Sequence, residues 1–150
     1  MHPDFTPDQF RVLLDWPVQW GDMDMFGHVN NTVYFRWFES SRVEYLNRVG
    51  LARLHGAGDH GPILAHVDCN FRRQLEFPDT VRIGSRVINI GRTSFKVEHA
   101  LWSTAQNLAL AANGTSTIVL FDYASQKPIR VPDDIRQLIE ELEGKKFDVN

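Results

Sequence analysis

Between residues 21 and 31 the chain reads Gly21-Asp22-Met23-Asp24-Met25-Phe26-Gly27-His28-Val29-Asn30-Asn31. Two acids, one imidazole and two amides crowd a stretch whose Asp, Gly and Asn content marks a loop. The residues after it are helical in pattern. Tyr34, Trp37, Phe38, Ser41 and Tyr45 recur every three or four positions, which predicts a helix from about Asn31 to Val49 with these side chains on one face. Asn30 or Asn31 can cap its start, and Gly50 suits its end. The opposite face carries Arg36, Glu39, Ser40 and Arg42, and the pairs Glu39 with Arg42 and Glu44 with Arg48 are spaced for ion pairing. The small Ser41 lets such a helix lie close on a sheet.

Outward from this helix the chain is mostly strand. Upstream, Phe10, Val12, Leu14, Trp16, Val18 and Trp20 alternate as one face of a strand, and Pro17 argues for an edge position or a bulge. Downstream, Ile63, Ala65, Val67, Cys69 and Phe71 alternate with His66, Asp68, Asn70 and Arg72. Val81, Ile83 and Val87 begin another strand, and the switch to Ile88 and Ile90 signals a bulge. The turn Gly91-Arg92-Thr93-Ser94 leads to Phe95, Val97, His99 and Leu101, alternating with Lys96 and Glu98. A long run from Leu108 to Tyr123 is expected to break at Asn113-Gly114. A second, short helix comes after Pro132, with Asp133 as cap and Ile135, Leu138, Ile139 and Leu142 on its apolar face. One strand, one long helix and then consecutive strands with short turns describe an α+β chain, an antiparallel sheet around a helix.

Composition narrows the function. Apolar content of 43% and charged content of 23% belong to a soluble globular protein, and residues 1–150 are expected to form one domain. A net charge of -3 with scattered basic residues gives no nucleic-acid or membrane footprint. The single cysteine, Cys69, allows no internal disulfide, and no leader or membrane-spanning run stands out, so a cytoplasmic protein is expected.

The chemistry concentrates in the opening stretch. A helix start offers unpaired N–H groups that can polarise a carbonyl and hold its oxyanion, and a neighbouring carboxylate can attack that carbonyl or deprotonate water. A capped polar loop with no catalysis accounts for the same residues equally well.

The run Asp22-x-Asp24-x-x-Gly27-His28-Val29-Asn30-Asn31, with Tyr34, Trp37-Phe38-Glu39, Gly91-Arg92-Thr93-Ser94-Phe95, Phe121-Asp122 and Lys127-Pro128-Ile129-Arg130-Val131-Pro132, resembles the 4-hydroxybenzoyl-CoA thioesterase family. The resemblance implies the hotdog fold: a long central helix wrapped by an antiparallel sheet of about five or six strands. It implies hydrolysis of an acyl-CoA thioester, with Asp24 as nucleophile or general base and the backbone N–H of Asn31 on the thioester carbonyl. His28 matches a histidine that lines the site, a position that also suits bracing of the loop. Arg92, Ser94 and Lys127 match positions that hold the coenzyme A phosphates. Gly91 and Thr93 stand where some members carry a more basic loop. The family's sites lie between subunits, so the resemblance implies a homodimer at least, and a homotetramer is compatible with it. Coenzyme A is then part of the substrate, and no further cofactor or metal is implied. A non-catalytic acyl-CoA sensor and a thioesterase for acyl carrier protein are the alternatives. Aryl, short-chain and long-chain acyl groups all remain open.

Other patterns carry less. Asp22 reads as a loop-stabilising acid, and Glu39 as the structural partner of Arg42. Gly56-Ala57-Gly58-Asp59-His60-Gly61 spells a dinucleotide fingerprint, but a helix precedes it and a strand comes after, the reverse of what that motif needs. Asp22 and Asp24 with His28 suggest a metal site, yet His55, His60 and His66 lack compact ligand spacing. Trp37, Phe38 and the strand aromatics are expected in the core.

Overall fold

The computed structural model describes residues 2–51 and 59–148. Five long or medium strands run in the order β1-β4-β5-β6-β2: β1 is Val12–Pro17, β2 His60–Val67, β4 Thr80–Ile90, β5 Ser94–Ser103 and β6 Ala109–Asp122. Two two-residue strands, β3 (Asn70–Phe71) and β7 (Lys127–Pro128), add to β6, giving a seven-stranded sheet in which every pairing is antiparallel. Helix α1 (Asn31–Arg48) crosses the inner face of this sheet, and helix α2 (Asp133–Glu143) closes one end. This is the helix-on-antiparallel-sheet layout expected of a hotdog fold. Gly56-Ala57-Gly58 and His55 lie outside the described residues; Gly61 stands in β2.

Helix α1 starts and buries itself as its spacing requires. Tyr34, Trp37, Phe38, Ser41 and Tyr45 are all buried, and Gly50 leaves the helix with φ of +78°. Its first half packs Tyr34, Trp37 and Phe38 on Val81, Ile83, Leu101 and Ala112. Its second half packs Tyr45 and Val49 on Val87, Ile90, Phe95, Ile118 and Leu120, where Ile135 and Ile139 of α2 join them. Glu143 from α2 ties this end together. Its buried carboxylate accepts the Tyr45 hydroxyl and, at 2.9 Å, the Val87 N–H. The Val87 amide sits beside the expected bulge, where the β4–β5 register shifts between Val87 and Asn89.

Several expectations give way to packing. Arg42 does not pair with Glu39 on an exposed face; it is 7% exposed, and its Nη1 donates to Ser116 Oγ at 3.0 Å. The side of α1 that carries Arg42 is turned toward β6, so the guanidinium reaches the sheet. The Glu44–Arg48 pair forms at 3.1 Å. The first strand ends at Pro17, at the outer edge of the sheet as its proline required. Beyond it the chain enters a 3-10 turn at Trp20–Asp22, so Trp16 and Trp20 are exposed and the ring of Trp20 meets Phe77 edge-on at 5.7 Å. The alternation from Ile63 to Phe71 is also split. A register shift falls between Leu64 and His66, and the chain leaves the sheet at Asp68 and Cys69. Pro132 precedes α2 and Asp133 is its first residue, with no side-chain cap; Arg130 lies 3.6 Å from Asp133 instead.

The expected break at Asn113-Gly114 is absent: β6 runs through it. Asp68 explains both residues. Its backbone passes over the strand, its N–H donates to Thr115 O at 3.0 Å, and its carboxylate accepts the Thr115 N–H and hydroxyl. A Cβ on Gly114 would lie 2.0 Å from Asp68 O. The glycine there makes room for a crossing chain rather than turning its own.

A line of polar side chains crosses the core beneath α1. Ser41 Oγ contacts Ser85 Oγ, Ser85 Oγ lies 2.8 Å from His99 Nδ1, and His99 Nε2 lies 2.8 Å from Ser116 Oγ, which Arg42 also reaches. Phe38 stacks on the imidazole with ring centres 4.9 Å apart. One direction of donation satisfies the links around a neutral imidazole: Arg42 to Ser116, Ser116 to Nε2, and Nδ1–H to Ser85. Burial first, and the nearby Arg42 cation second, pull His99 down from 6.5 to about 3.

Gly114→Ala is expected to lower stability by about 2 kcal/mol or more, because the obstacle is backbone; a fall in the urea midpoint at unchanged slope checks it. The His99 shift predicts acid sensitivity. Between 6.5 and about 3 the unfolded chain binds a proton that the folded chain refuses, so stability falls as pH falls through that window. Urea unfolding from pH 7 to pH 4.5 (about the middle of the window) is expected to lose stability more steeply in wild type than in His99→Gln.

Candidate active site

The loop before α1 is built as a clasp. Met23 and Val29 pair across it as an isolated β-bridge, and Val29 N–H donates to Leu75 O at 2.8 Å, which ties the clasp to the chain after β3. Inside the clasp, Asp24 O accepts the Gly27 N–H at 3.0 Å, and Gly27 takes φ of +81°, a conformation glycine adopts without strain. Asp22 braces the outside. Its carboxylate accepts the Gln19 N–H at 2.8 Å, and its carbonyl accepts the Asn30 N–H at 2.9 Å.

Three expected site residues lie on this loop and at the helix start, and of them His28 and Asn31, but not Asp24, line a common cleft. The half-buried Asp24 carboxylate accepts the Phe26 N–H at 2.9 Å through Oδ1 and the Asn30 side-chain amide at 3.3 Å through Oδ2. The Asn30 carbonyl oxygen caps the helix, accepting Thr32 N–H at 3.0 Å and the Thr32 hydroxyl at 2.7 Å, while Asn30 O accepts Val33 N–H at 3.0 Å. Asn31 is the first helical residue. Among the described residues its N–H has no hydrogen-bond partner, and it points from the positive end of an 18-residue helix. His28 lies 3.4 Å from the Glu76 carboxylate, a bracing contact to the same segment that holds Val29.

Beside the Asn31 amide lies a cleft of about 290 Å³, lined by His28, Val29, Asn31, Tyr34, Phe71, Arg72, Arg73 and Gln74. Tyr34 and Phe71 meet edge-on at 5.0 Å and form its aromatic wall. Burial pushes the Tyr34 hydroxyl up to about 12, so it stays neutral and donates to Arg73 O at 3.2 Å. Sequence reading missed Phe71, Arg72 and Arg73 here. The Val29–Leu75, Tyr34–Arg73, Tyr34–Phe71 and His28–Glu76 contacts bring that segment to the loop, and no spacing in the chain announces them.

Arg92, Ser94 and Lys127 do not join this group. Val131 N–H donates to Arg92 O at 2.9 Å, Ser94 begins β5 beside Phe95, and Lys127 pairs with Asp122 at the far end of β6. That end of the sheet lies under the second half of α1, where Tyr45 and Val49 pack, and Asn31 stands at the helix's other end. His60 and His66 are also separate, 3.7 Å from Asp122 and 3.2 Å from Asp68. Among the described residues no three His, Cys, Asp or Glu side chains gather as a metal site needs, and no helix is long and apolar enough to cross a membrane.

A long helix lying on an antiparallel sheet has the layout of the hotdog fold. The model of the thioesterase-like superfamily matches residues 18–139, and the chain belongs to that superfamily. A thioesterase from Thermus thermophilus, solved in complex with coenzyme A and Zn, superposes with a TM-score of 0.82 at 28% identity, covering 93% of this chain and 99% of that one. The long-chain acyl-CoA thioesterase FadM of Escherichia coli K12 is 21% identical over 120 residues, 80% of this chain and 90% of FadM. The uncharacterized protein YsmA of Bacillus subtilis 168 is 26% identical over 82 residues, 55% of this chain, and the match spans about half (54%) of YsmA.

Asn30→Ala removes the cap of α1 and the amide on Asp24 together. A loss of about 1 kcal/mol is expected from the cap, read as a lower melting temperature by circular dichroism.

Proposed function

We propose that this chain is an acyl-CoA thioesterase of the 4-hydroxybenzoyl-CoA thioesterase branch, acting as one domain. The observation that supports the reading is that Asn30, whose side-chain amide holds the Asp24 carboxylate, directly precedes the unpartnered N–H of Asn31. The thioester carbonyl accepts that N–H, which stabilises the negative charge as the carbonyl carbon becomes tetrahedral. As general base, Asp24 takes a proton from water; the hydroxide adds to the carbonyl carbon. Collapse breaks the C–S bond, and the departing thiolate takes up that proton to give free acid and CoA. As nucleophile, Asp24 forms an acyl-aspartyl anhydride and releases CoA, and water then cleaves the anhydride. Each carboxylate oxygen keeps a lone pair beyond the hydrogen bond described, so both routes are open to it. His28 lines the site and holds the loop through Glu76.

In this reading Arg92, Ser94 and Lys127 grip the CoA phosphates, and they do so for the site of a second copy. Within one chain they lie near the core cluster under the second half of α1, and Asn31 lies at the start of that helix. A two-fold pairing that sets two α1 helices antiparallel brings each group to the other chain's catalytic loop. The exposed Leu64 and Phe71, on β2 and β3 at the free sheet edge, support that edge as the seam. The working unit is then at least a homodimer. Its substrate carries the coenzyme, and no resident metal or cofactor is called on.

Thiol release from a panel of acyl-CoA and acyl carrier protein thioesters tests the reading. Hydrolysis of CoA thioesters is expected, falling about 1,000-fold in Asp24→Asn while its far-UV circular dichroism stays that of wild type. Activity untouched by the substitution rules out Asp24. CoA binding without thiol release identifies a sensor.

A further inference from the structure

We infer that Arg73 makes this enzyme select acyl groups bearing a carboxylate at their far end, an inference that rests on the Asn31 amide as the thioester-carbonyl donor. The cleft beside that amide is small. At about 290 Å³, with Tyr34 and Phe71 as its wall, it has room for an aromatic ring or a short chain. Past Arg73 and Gln74, which line both, it adjoins a second cleft of about 500 Å³ formed with Glu76, Phe77, Asp79 and Gln106. Whatever leaves the first cleft in that direction meets Arg73.

Four hydrogen bonds pin the backbone that carries this side chain. Arg72 and Arg73 N–H groups donate to Ala111 O at 2.8 and 3.1 Å, Tyr34 donates to Arg73 O at 3.2 Å, and Gln106 donates to Gln74 O at 3.1 Å. The neighbouring charges are already engaged. Arg72 donates to Asn113, Glu76 faces His28, and the Asp79 carboxylate accepts from Ser103, Thr104 and Ala105. Among the described residues the Arg73 guanidinium has no ion pair or hydrogen bond. A fixed base and an unengaged planar cation at the cleft favour a carboxylate a few bonds from the thioester, to which the guanidinium fork can donate two parallel N–H bonds. The CoA phosphates fit less well, since the pantetheine arm holds them many bonds from sulfur, beyond the reach of a cleft this small.

The test uses full-length wild type, Arg73→Gln and Arg73→Lys with two length-matched substrates, glutaryl-CoA and pentanoyl-CoA, read as thiol release. Calorimetry with the non-hydrolysable S-(4-carboxybutyl)-CoA and S-pentyl-CoA runs beside it. Wild type is expected to favour glutaryl-CoA in kcat/KM by about tenfold, Arg73→Gln to erase the preference, and Arg73→Lys to restore part of it. No preference in wild type overturns the inference. So does an equal loss on both substrates in Arg73→Gln with weaker inhibition by free CoA, which would place Arg73 on the coenzyme phosphates. If neither substrate is hydrolysed, the catalytic reading fails and calorimetry decides the selectivity alone. Tighter binding of the carboxybutyl thioether that Arg73→Gln abolishes sustains it, and equal or absent binding ends it.

Discussion

The start of α1 is the constraint from which the site follows, and Asn30 carries it. Its side-chain oxygen satisfies the first turn of the helix through Thr32, and its side-chain nitrogen reaches back to the Asp24 carboxylate. The residue that fixes where the helix begins therefore also fixes where the acid points. The capping oxygen and the backbone carbonyl of Asn30 engage Thr32 and Val33 and leave the Asn31 N–H unbound. Carboxylate and free amide are set at one corner because both depend on the same amide side chain, with the Met23–Val29 bridge and the Leu75 carbonyl holding the loop from outside.

That corner is useful only if α1 cannot shift on the sheet, and the core supplies the restraint in two forms. Apolar contact is strong but tolerant of sliding, since one aliphatic surface resembles another. The polar line from Ser41 through Ser85, His99 and Ser116 to Arg42 is not tolerant. Each link needs its neighbour within hydrogen-bond distance, and a shift of α1 would strand buried polar atoms in the middle of the sheet. The line touches α1 at two successive residues, Ser41 and Arg42, and touches three strands' worth of register through Ser85, His99 and Ser116. Glu143 does the same at the far end by binding Tyr45 of α1 and the bulged Val87 of β4. Position along the helix axis is thus set by hydrogen bonds, while apolar burial supplies the bulk of the attraction.

Which parts were legible in the chain depends on how local their causes are. The helix could be read because its face repeats every three or four residues and its ends carry Asn30 and Gly50. The bulge at Ile88 could be read because it flips an apolar alternation within one strand. Asp24, His28 and Asn31 lie within eight residues of one another, so their grouping survives any fold that keeps the loop. Arg42 could not be read, since its spacing from Glu39 allows an ion pair and only Ser116, far along the chain, decides otherwise. Gly114 looked like a turn because its reason lies elsewhere in the chain, in the backbone of Asp68 between β2 and β3. The same limit hid Arg73 and Phe71, which reach the site through contacts with Tyr34 and the clasp rather than through any pattern of their own.

The division of the site along α1 has a further consequence for the proposed enzyme. A thioester of coenzyme A is a long molecule with its reactive carbon at one end and its phosphates at the other, so the two ends need recognition at widely separated points. A single protomer offers its carboxylate and amide at one end of α1 and the side chains proposed to bind phosphate toward the other, near Tyr45 and Val49. Both cannot serve one substrate lying along the outside of the same chain unless it spans the full helix. Two copies related by a two-fold axis remove the difficulty without any new residue, because the operation that reverses the helix exchanges the ends. The proposed symmetric pair would have two equivalent sites, each with the chemistry of one chain and the anion grip of the other. In that proposed pair, a change at the sheet edge where the chains meet would disable both ends of each site at once, although it touches neither Asp24 nor Arg92.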